Sequence, residues 1–375
     1  MSKRIIKKVA VLGSGVMGSR IACHFAGVGL QVLLLDILPK DLPDDAKPAA
    51  RNKIVNDALT AAVKSNPSPV YTKDVLKYIK TGNFTDNMKD IADCDWVIEV
   101  VVERLDIKQI VFTDVEKYRK PGTLITSNTS GIPIHMMTEG RSDDFKKHFC
   151  GTHFFNPPRY LRLLEIIPTP HTDPEIIDFL MHYGDVTLGK ITVLCKDTPA
   201  FIANRVGVFG MMAIMNAMEK LDLTVDEIDA LTGPVIGRPK SATFRTGDVV
   251  GIDTLVKVAK GVADNCPNDE AKEQFNIPSW LNKMVENNWL GDKTGQGFFK
   301  KTKSASGEKE ILTLNLKTLE YGPRQKPKFA TLETAKPIED LKTRIKALCA
   351  GTDKAGEFYR LFHYNLFSYI SHRIP

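Results

Sequence analysis

Apolar positions in the first half of the chain alternate between short unbroken runs and longer stretches of helical spacing. Val9, Ala10, Val11 and Leu12 form one run, and "QVLLLD", ending in Asp36, forms another. Between them Met17, Ile21, Ala22 and Phe25 recur at the spacing of one helix face, and Gly29 closes that helix. Unbroken apolar runs of this length predict strands buried on both faces, the form taken in parallel sheets. "DWVIEVVVE", "GTLITSNTS", "HFCGTHFFN", "LRLLEII" and "ITVLCKD" add further runs, with helical segments before several of them. A polar helical insert, with Ile54, Val55, Ala58, Leu59, Ala62 and Val63 on one face, lies between Pro39 and Phe84. The pattern predicts an α/β fold: a Rossmann-type, doubly wound, mostly parallel sheet over residues 1–195.

The periodicity then changes. "FIANRVGVFGMMAIMNAMEK" is a long apolar, Met-rich helix, and "TVDEIDAL" follows with Thr224 as its cap. Helical spacing continues, predicting an all-helical domain over 196–300. "EYGPRQKPKF" reads as a linker, and the aromatic helix in "EFYRLFHYNLFSYISHRIP" reads as the start of a second helical domain within 301–375. With such a domain cut short, the apolar surface of the Met-rich helix would favour self-association, so a homo-oligomer or part of a longer chain is expected.

Composition narrows the function classes. The chain has 375 residues, 43% apolar and 26% charged, with a net charge of +6 spread among both signs. This suits anionic small molecules and gives no clustered basic face for nucleic acid. Six scattered cysteines without a Cys-x-x-Cys pair predict no metal site and a reducing compartment. The basic head of "MSKRIIKKVAVLGSGVMG" precedes an apolar run too short for a signal peptide. No stretch reaches the roughly 18 apolar residues of a membrane span, so a cytoplasmic location is expected.

Two constellations carry chemistry. Gly13, Gly15 and Gly18 stand at G-x-G-x-x-G spacing between a strand and a helix, and Asp36 ends the next strand. The helix N-terminus would receive a pyrophosphate, and Asp36 would accept from a ribose diol while repelling a 2′-phosphate, which favours NAD over NADP. The second constellation is Glu165, a carboxylate in an apolar strand, with His153 on the strand before it. A buried carboxylate needs a partner, and a histidine base for alcohol oxidation needs a carboxylate to fix its tautomer. "TSNTSG" sets Asn128 and Ser130 at a strand's C-terminal end, where ligands bind in such sheets. Asn204 and Arg205 open the long helix of the second domain, so a cleft lined by both domains is expected.

In order along residues 5–300, "VLGSGVMGSRIA", "VIEVVVERLDIK", "SNTSGIPI", "GTHFFNPPRYLRLLEII", "KDTPAFIANR", "RTGDVVGIDT" and "GDKTGQGFF" resemble the 3-hydroxyacyl-CoA dehydrogenase family. The resemblance implies NAD as cofactor, acyl-CoA as substrate, His153 as base and Glu165 as its orienting partner. It implies Ser130 and Asn204 on the substrate oxygen, with Asn156 shaping the site. For the cofactor it implies Gly13, Gly15, Val16, Met17, Gly18, Asp36, Asn128 and Ser130, with Glu103 and Lys108 near the nicotinamide half. Lys53, on the polar insert, is a candidate for the CoA 3′-phosphate. The chain departs from the family at Ala200, where "DTPGF" is usual, a change expected to tighten the turn. The wording "IGRPKSATFRTGDVVGID" resembles the long members that also carry an enoyl-CoA hydratase. The rival expectations are a β-hydroxyacid-type dehydrogenase, which would need a lysine where Asn204 stands, and a non-catalytic NAD-binding protein.

Overall fold

The computed structural model describes residues 4–43, 45–304 and 307–373; the first three residues of the basic head and the terminal Pro375 lie outside this range. The chain divides into two compact units, Met1–Phe201 and Ile202–Pro375.

The first unit is built on eight strands: β1 (Lys8–Leu12), β2 (Gln31–Asp36), β3 (Ile79–Asn83), β4 (Trp96–Glu99), β5 (Leu124–Ser127), β6 (Phe149–Phe154), β7 (Leu163–Pro168) and β8 (Ile191–Leu194). Their order is β3-β2-β1-β4-β5-β6-β7-β8. All neighbours run parallel except β6 and β7, which pair antiparallel with His153 opposite Glu165. Strand side chains alternate between two apolar layers, which is why the runs read as unbroken. Val9, Val11, Val32, Leu34 and Ile98 pack on one face with Phe25, and Ala10, Leu12, Leu33, Leu35 and Val97 on the other with Phe112. The strand order reverses between β1 and β4, and ligands of such sheets bind outside the strand ends at that point.

The second unit begins with the helix Ala203–Leu221, continues through the capping-box helix Val225–Thr232, and carries the helices Ile252–Asn265 and Ser279–Glu286. Its elements before Phe299 are all helical, as expected over 196–300, and strands follow. Strands β9 (Phe299–Lys303), β10 (Lys309–Asn315) and β11 (Glu320–Pro323) form an antiparallel meander, so the expected linker opens with a strand. These strands are lysine-rich and half-exposed, so their apolar signal was weak.

The C-terminal helix Lys354–Ser371 packs within this same unit. Its Tyr369 ring stacks on Phe209 at 3.8 Å, and Tyr369 Oη donates to Asp269 at 2.9 Å. Met212, Met215 and Met218 are buried in the unit's own core. The apolar face thought to favour self-association is therefore covered within the chain, which removes that ground for expecting an oligomer. The family blocks "RTGDVVGIDT" and "GDKTGQGFF" meet here at Asp248, whose carboxylate accepts from the Phe298 and Phe299 amides at 2.8 and 3.0 Å. A Cβ on Gly297 would lie 2.1 Å from that carboxylate, so glycine is required by close approach and not by catalysis. Among the described residues no helix is long and apolar enough to cross a membrane, and no His, Cys, Asp or Glu cluster could hold a metal ion.

Candidate active site

β1 ends in the glycine turn. Gly13 has φ +103°, and a Cβ there would sit 2.6 Å from the Val100 carbonyl oxygen. A Cβ on Gly18 would fall 1.8 Å from the Gly13 oxygen, so the helix Val16–Gly27 reaches the strand only because both side chains are absent. A Cβ on Gly15 would meet nothing within 4 Å. Val16 is 65% exposed, and no side chain caps the helix. The first-turn amides of a helix lack intrahelical acceptors, so open space over Gly15 lies beside a row of donors suited to phosphate. Asp36 faces the same turn: its carboxylate accepts from the Ser14 amide at 2.6 Å and the Ser14 hydroxyl at 2.5 Å.

Three and four strands along the sheet from β1, the antiparallel register of β6 and β7 sets His153 against Glu165. His153 Nδ1 lies 2.7 Å from Glu165 Oε2, with the side chains 7% and 0% exposed. An ionised carboxylate only accepts, so this contact suits a proton on Nδ1 that donates to Glu165. Phe155 and Phe201 flank the ring at centroid distances of 4.4 and 5.8 Å. The carboxylate that looked misplaced in an apolar run is hydrogen-bonded to His153.

Between these features lies the loop after β5. Glu103 Oε1 accepts from the Thr129 hydroxyl at 2.6 Å and from the Ser130 and Gly131 amides at 2.9 and 3.0 Å. Burial opposes ionisation of Glu103, but the Lys108 charge and these donors outweigh it and hold its carboxyl below the usual range. Ser130 is exposed, its hydroxyl only 3.4 Å from Glu103. Asn128 Oδ1 accepts from the Phe154 amide at 2.8 Å, tying this loop to the strand that carries His153.

The sequence matches the models for the 3-hydroxyacyl-CoA dehydrogenase NAD binding domain over residues 8–198 and the 3-hydroxyacyl-CoA dehydrogenase C-terminal domain over residues 201–301. The chain belongs to the 3-hydroxyacyl-CoA dehydrogenase family. It is 49% identical over 359 residues to a probable 3-hydroxyacyl-CoA dehydrogenase of Bacillus subtilis, covering 94% of this chain and 45% of that one. A probable 3-hydroxyacyl-CoA dehydrogenase of Deinococcus radiodurans is 43% identical over 344 residues, covering 92% of this chain and 91% of that one. The solved (S)-3-hydroxybutyryl-CoA dehydrogenase of Ralstonia eutropha superimposes with a TM-score of 0.64 at 25% identity, covering 78% and 98% of the two chains. The chain thus spans less than half the length of the Bacillus relative and of a putative fatty acid oxidation complex trifunctional enzyme of Rickettsia felis, of which it covers 44%.

Members of this family are NAD-dependent oxidoreductases, and the cofactor of the N-terminal domain is NAD. The glycine turn fits it: open space over Gly15, exposed donors at the helix start and an acidic strand end at Asp36.

Several expected ligands have other partners. Lys108 is 1% exposed, and its ammonium is bonded to Glu99 at 2.8 and 2.9 Å and lies 3.3 Å from Glu103. Lys53 is exposed and paired with Asp57 one turn on, on a solvated helix face. Asn156 Oδ1 accepts from Arg20. Asn204 stands on the first turn of Ala203–Leu221, in the second unit.

Sequence reasoning missed Glu99, Lys190 and Asp197. Lys190 donates to the Leu161 and Pro158 carbonyls and so holds the Asn-Pro-Pro loop, while Asp197 accepts from the Ile134 and His135 amides at 2.8 and 2.9 Å. Glu99 carried a readable signal, since it is a carboxylate in an apolar strand just as Glu165 is. Ala200 has φ +63°, so it occupies the left-handed region that glycine would take without cost; the turn is strained by the alanine and not tightened.

Proposed function

We propose that this chain reversibly oxidises 3-hydroxyacyl-CoA to 3-oxoacyl-CoA with NAD⁺, the dehydrogenation step of fatty-acid β-oxidation. The observation that carries the reading is the buried His153–Glu165 hydrogen bond of 2.7 Å, in the same sheet as the glycine turn and tied through Asn128 to the Ser130 loop. Glu165 fixes the proton on Nδ1, so Nε2 accepts the proton of the substrate's 3-hydroxyl as the alcohol is oxidised. Glu165 then stabilises the imidazolium it has created. Bound NAD⁺ supplies the hydride acceptor. Ser130 would donate its hydroxyl to the substrate oxygen, and the family pattern adds Asn204 to the same task. The long relatives support a place for this dehydrogenase within a larger multifunctional chain.

General-base catalysis is typically worth about 10²–10⁴-fold. The test is oxidation of NADH by acetoacetyl-CoA, with His153→Gln beside the wild type. Turnover that falls by about 10² or more while NADH still binds supports the assignment. Undiminished turnover in the variant, or a wild type that binds NADH and never turns over, rejects it.

A further inference from the structure

At the C-terminal end of β4, Glu99 is fully buried, and nothing in the proposed chemistry uses it directly. Its environment is nonetheless complete. Oε1 accepts from the Val101 amide at 2.6 Å and from Lys108 Nζ at 2.8 Å; Oε2 accepts from Lys108 Nζ at 2.9 Å and the Ser127 hydroxyl at 2.5 Å. The Glu99 carbonyl oxygen accepts from the Asn128 amide at 2.8 Å, and Ser127 Oγ, held by Glu99, in turn accepts from the Thr129 amide at 3.2 Å. Lys108, locked in place by Glu99, reaches Glu103 at 3.3 Å, and Glu103 holds the amides of Ser130 and Gly131. Every residue from Ser127 to Gly131 is therefore bonded to Glu99, to Glu103 or to a group one of them holds.

One ammonium is shared by two carboxylates beside the loop, and burial pushes the Glu99 carboxyl above its usual range against the pull of Lys108. A buried ion pair is weak grounds for stability, because desolvation offsets its attraction, but it holds its neighbours in a single geometry. At the exposed end of this chain of bonds stands the Ser130 hydroxyl, the group that the proposed reaction uses.

We infer that Glu99 is a positioning residue: through Lys108 and Glu103 on one side and Ser127 on the other, it sets the backbone of Ser127–Gly131 and so aims the Ser130 hydroxyl. The inference rests on the proposed reading of Ser130 as the group that meets the substrate oxygen. Glu99 acts at a distance, since its carboxylate is wholly enclosed by its own partners. The same wiring gives Lys108 its role, as the element that transmits the position of β4 to Glu103. Outer groups of this kind typically change activity by about 10–100-fold when removed.

The experiment is a double-mutant cycle between Glu99→Gln and Ser130→Ala, read by acetoacetyl-CoA reduction, with hydrogen exchange of the 127–132 peptide followed in parallel. Glu99→Gln is expected to lower kcat by about tenfold or more, with KM for acetoacetyl-CoA changed by less than about threefold and exchange of the loop amides faster by about tenfold. In the Ser130→Ala background the same substitution should cost less than about twofold in kcat, because its target is gone. Equal losses in both backgrounds, or loop exchange that does not change, would overturn the inference. Should Glu99→Gln fail to fold, Glu99→Gln with Lys108→Met removes the buried ion pair and leaves Glu103 its Thr129, Ser130 and Gly131 donors; it must show the same faster loop exchange. If the wild type does not turn over, the proposed function falls, while the exchange measurement still decides whether Glu99 holds the loop.

Discussion

Replacing Glu165 by glutamine removes the negative charge of the dyad and keeps the size and shape of the side chain. The carboxylate is 0% exposed and the histidine 7%, so solvent screens the pair weakly. When His153 takes a proton, the new cation and the carboxylate stand with charge centres about 4 Å apart, an attraction of about 4 kcal/mol at an effective dielectric constant near 20. Glutamine keeps an acceptor for Nδ1–H, a neutral hydrogen bond that recovers about 1 kcal/mol. The net loss of about 3 kcal/mol corresponds to about 10²-fold in rate, and a full loss of the Coulomb attraction to about 10³. Steady-state reduction of acetoacetyl-CoA by NADH gives kcat, and quenching of NADH fluorescence gives cofactor affinity. The expected result is kcat down by about 10²–10³ with the NADH dissociation constant within about twofold. A kcat within threefold of wild type, or a loss confined to KM, would refute the argument that Glu165 stabilises a cation formed during the reaction.

Gly18→Ala should loosen NADH at least about tenfold and lower stability by about 1–3 kcal/mol, because its Cβ would fall 1.8 Å from the Gly13 oxygen; unchanged titration and melting curves would contradict this. Ala200→Gly should raise stability by about 1 kcal/mol in urea unfolding by relieving the left-handed φ of +63°, and a destabilised variant would show that the turn is not strained. Burial of Asp248, only partly offset by the Phe298 and Phe299 amides, pushes its carboxyl up from 3.8 to about 6. The folded state then binds that proton more tightly than the unfolded state, so the wild type should lose stability relative to Asp248→Asn as pH rises from about 4 to about 6, by roughly 3 kcal/mol at most, and stay level above. A difference between the two urea midpoints that is flat or of opposite sign would count against that assignment.

The local order of apolar and polar residues determined most of the first unit. Strands of the β1 and β2 type are buried on both faces, so their sequence is continuous in Val and Leu, and the glycine spacing follows from a helix that touches a strand. Glu165 was legible for the same energetic reason: an ionisable group in an apolar strand demands a partner, and the nearest histidine lies on the preceding strand. Glu99 offered the same signal, but the resemblance directed attention to Glu103 and Lys108. Only the tertiary structure shows that Lys108 turns inward to Glu99, because a lysine on a helix reads as solvated until the strand beneath it is known. The C-terminal 75 residues were least legible. Their strands are short and lysine-rich, and the last helix is apolar without naming what it covers. Periodicity along a chain states which face of an element must be buried. It carries no information on which distant element does the burying, so the stacking of Tyr369 on Phe209 was decided by the fold alone.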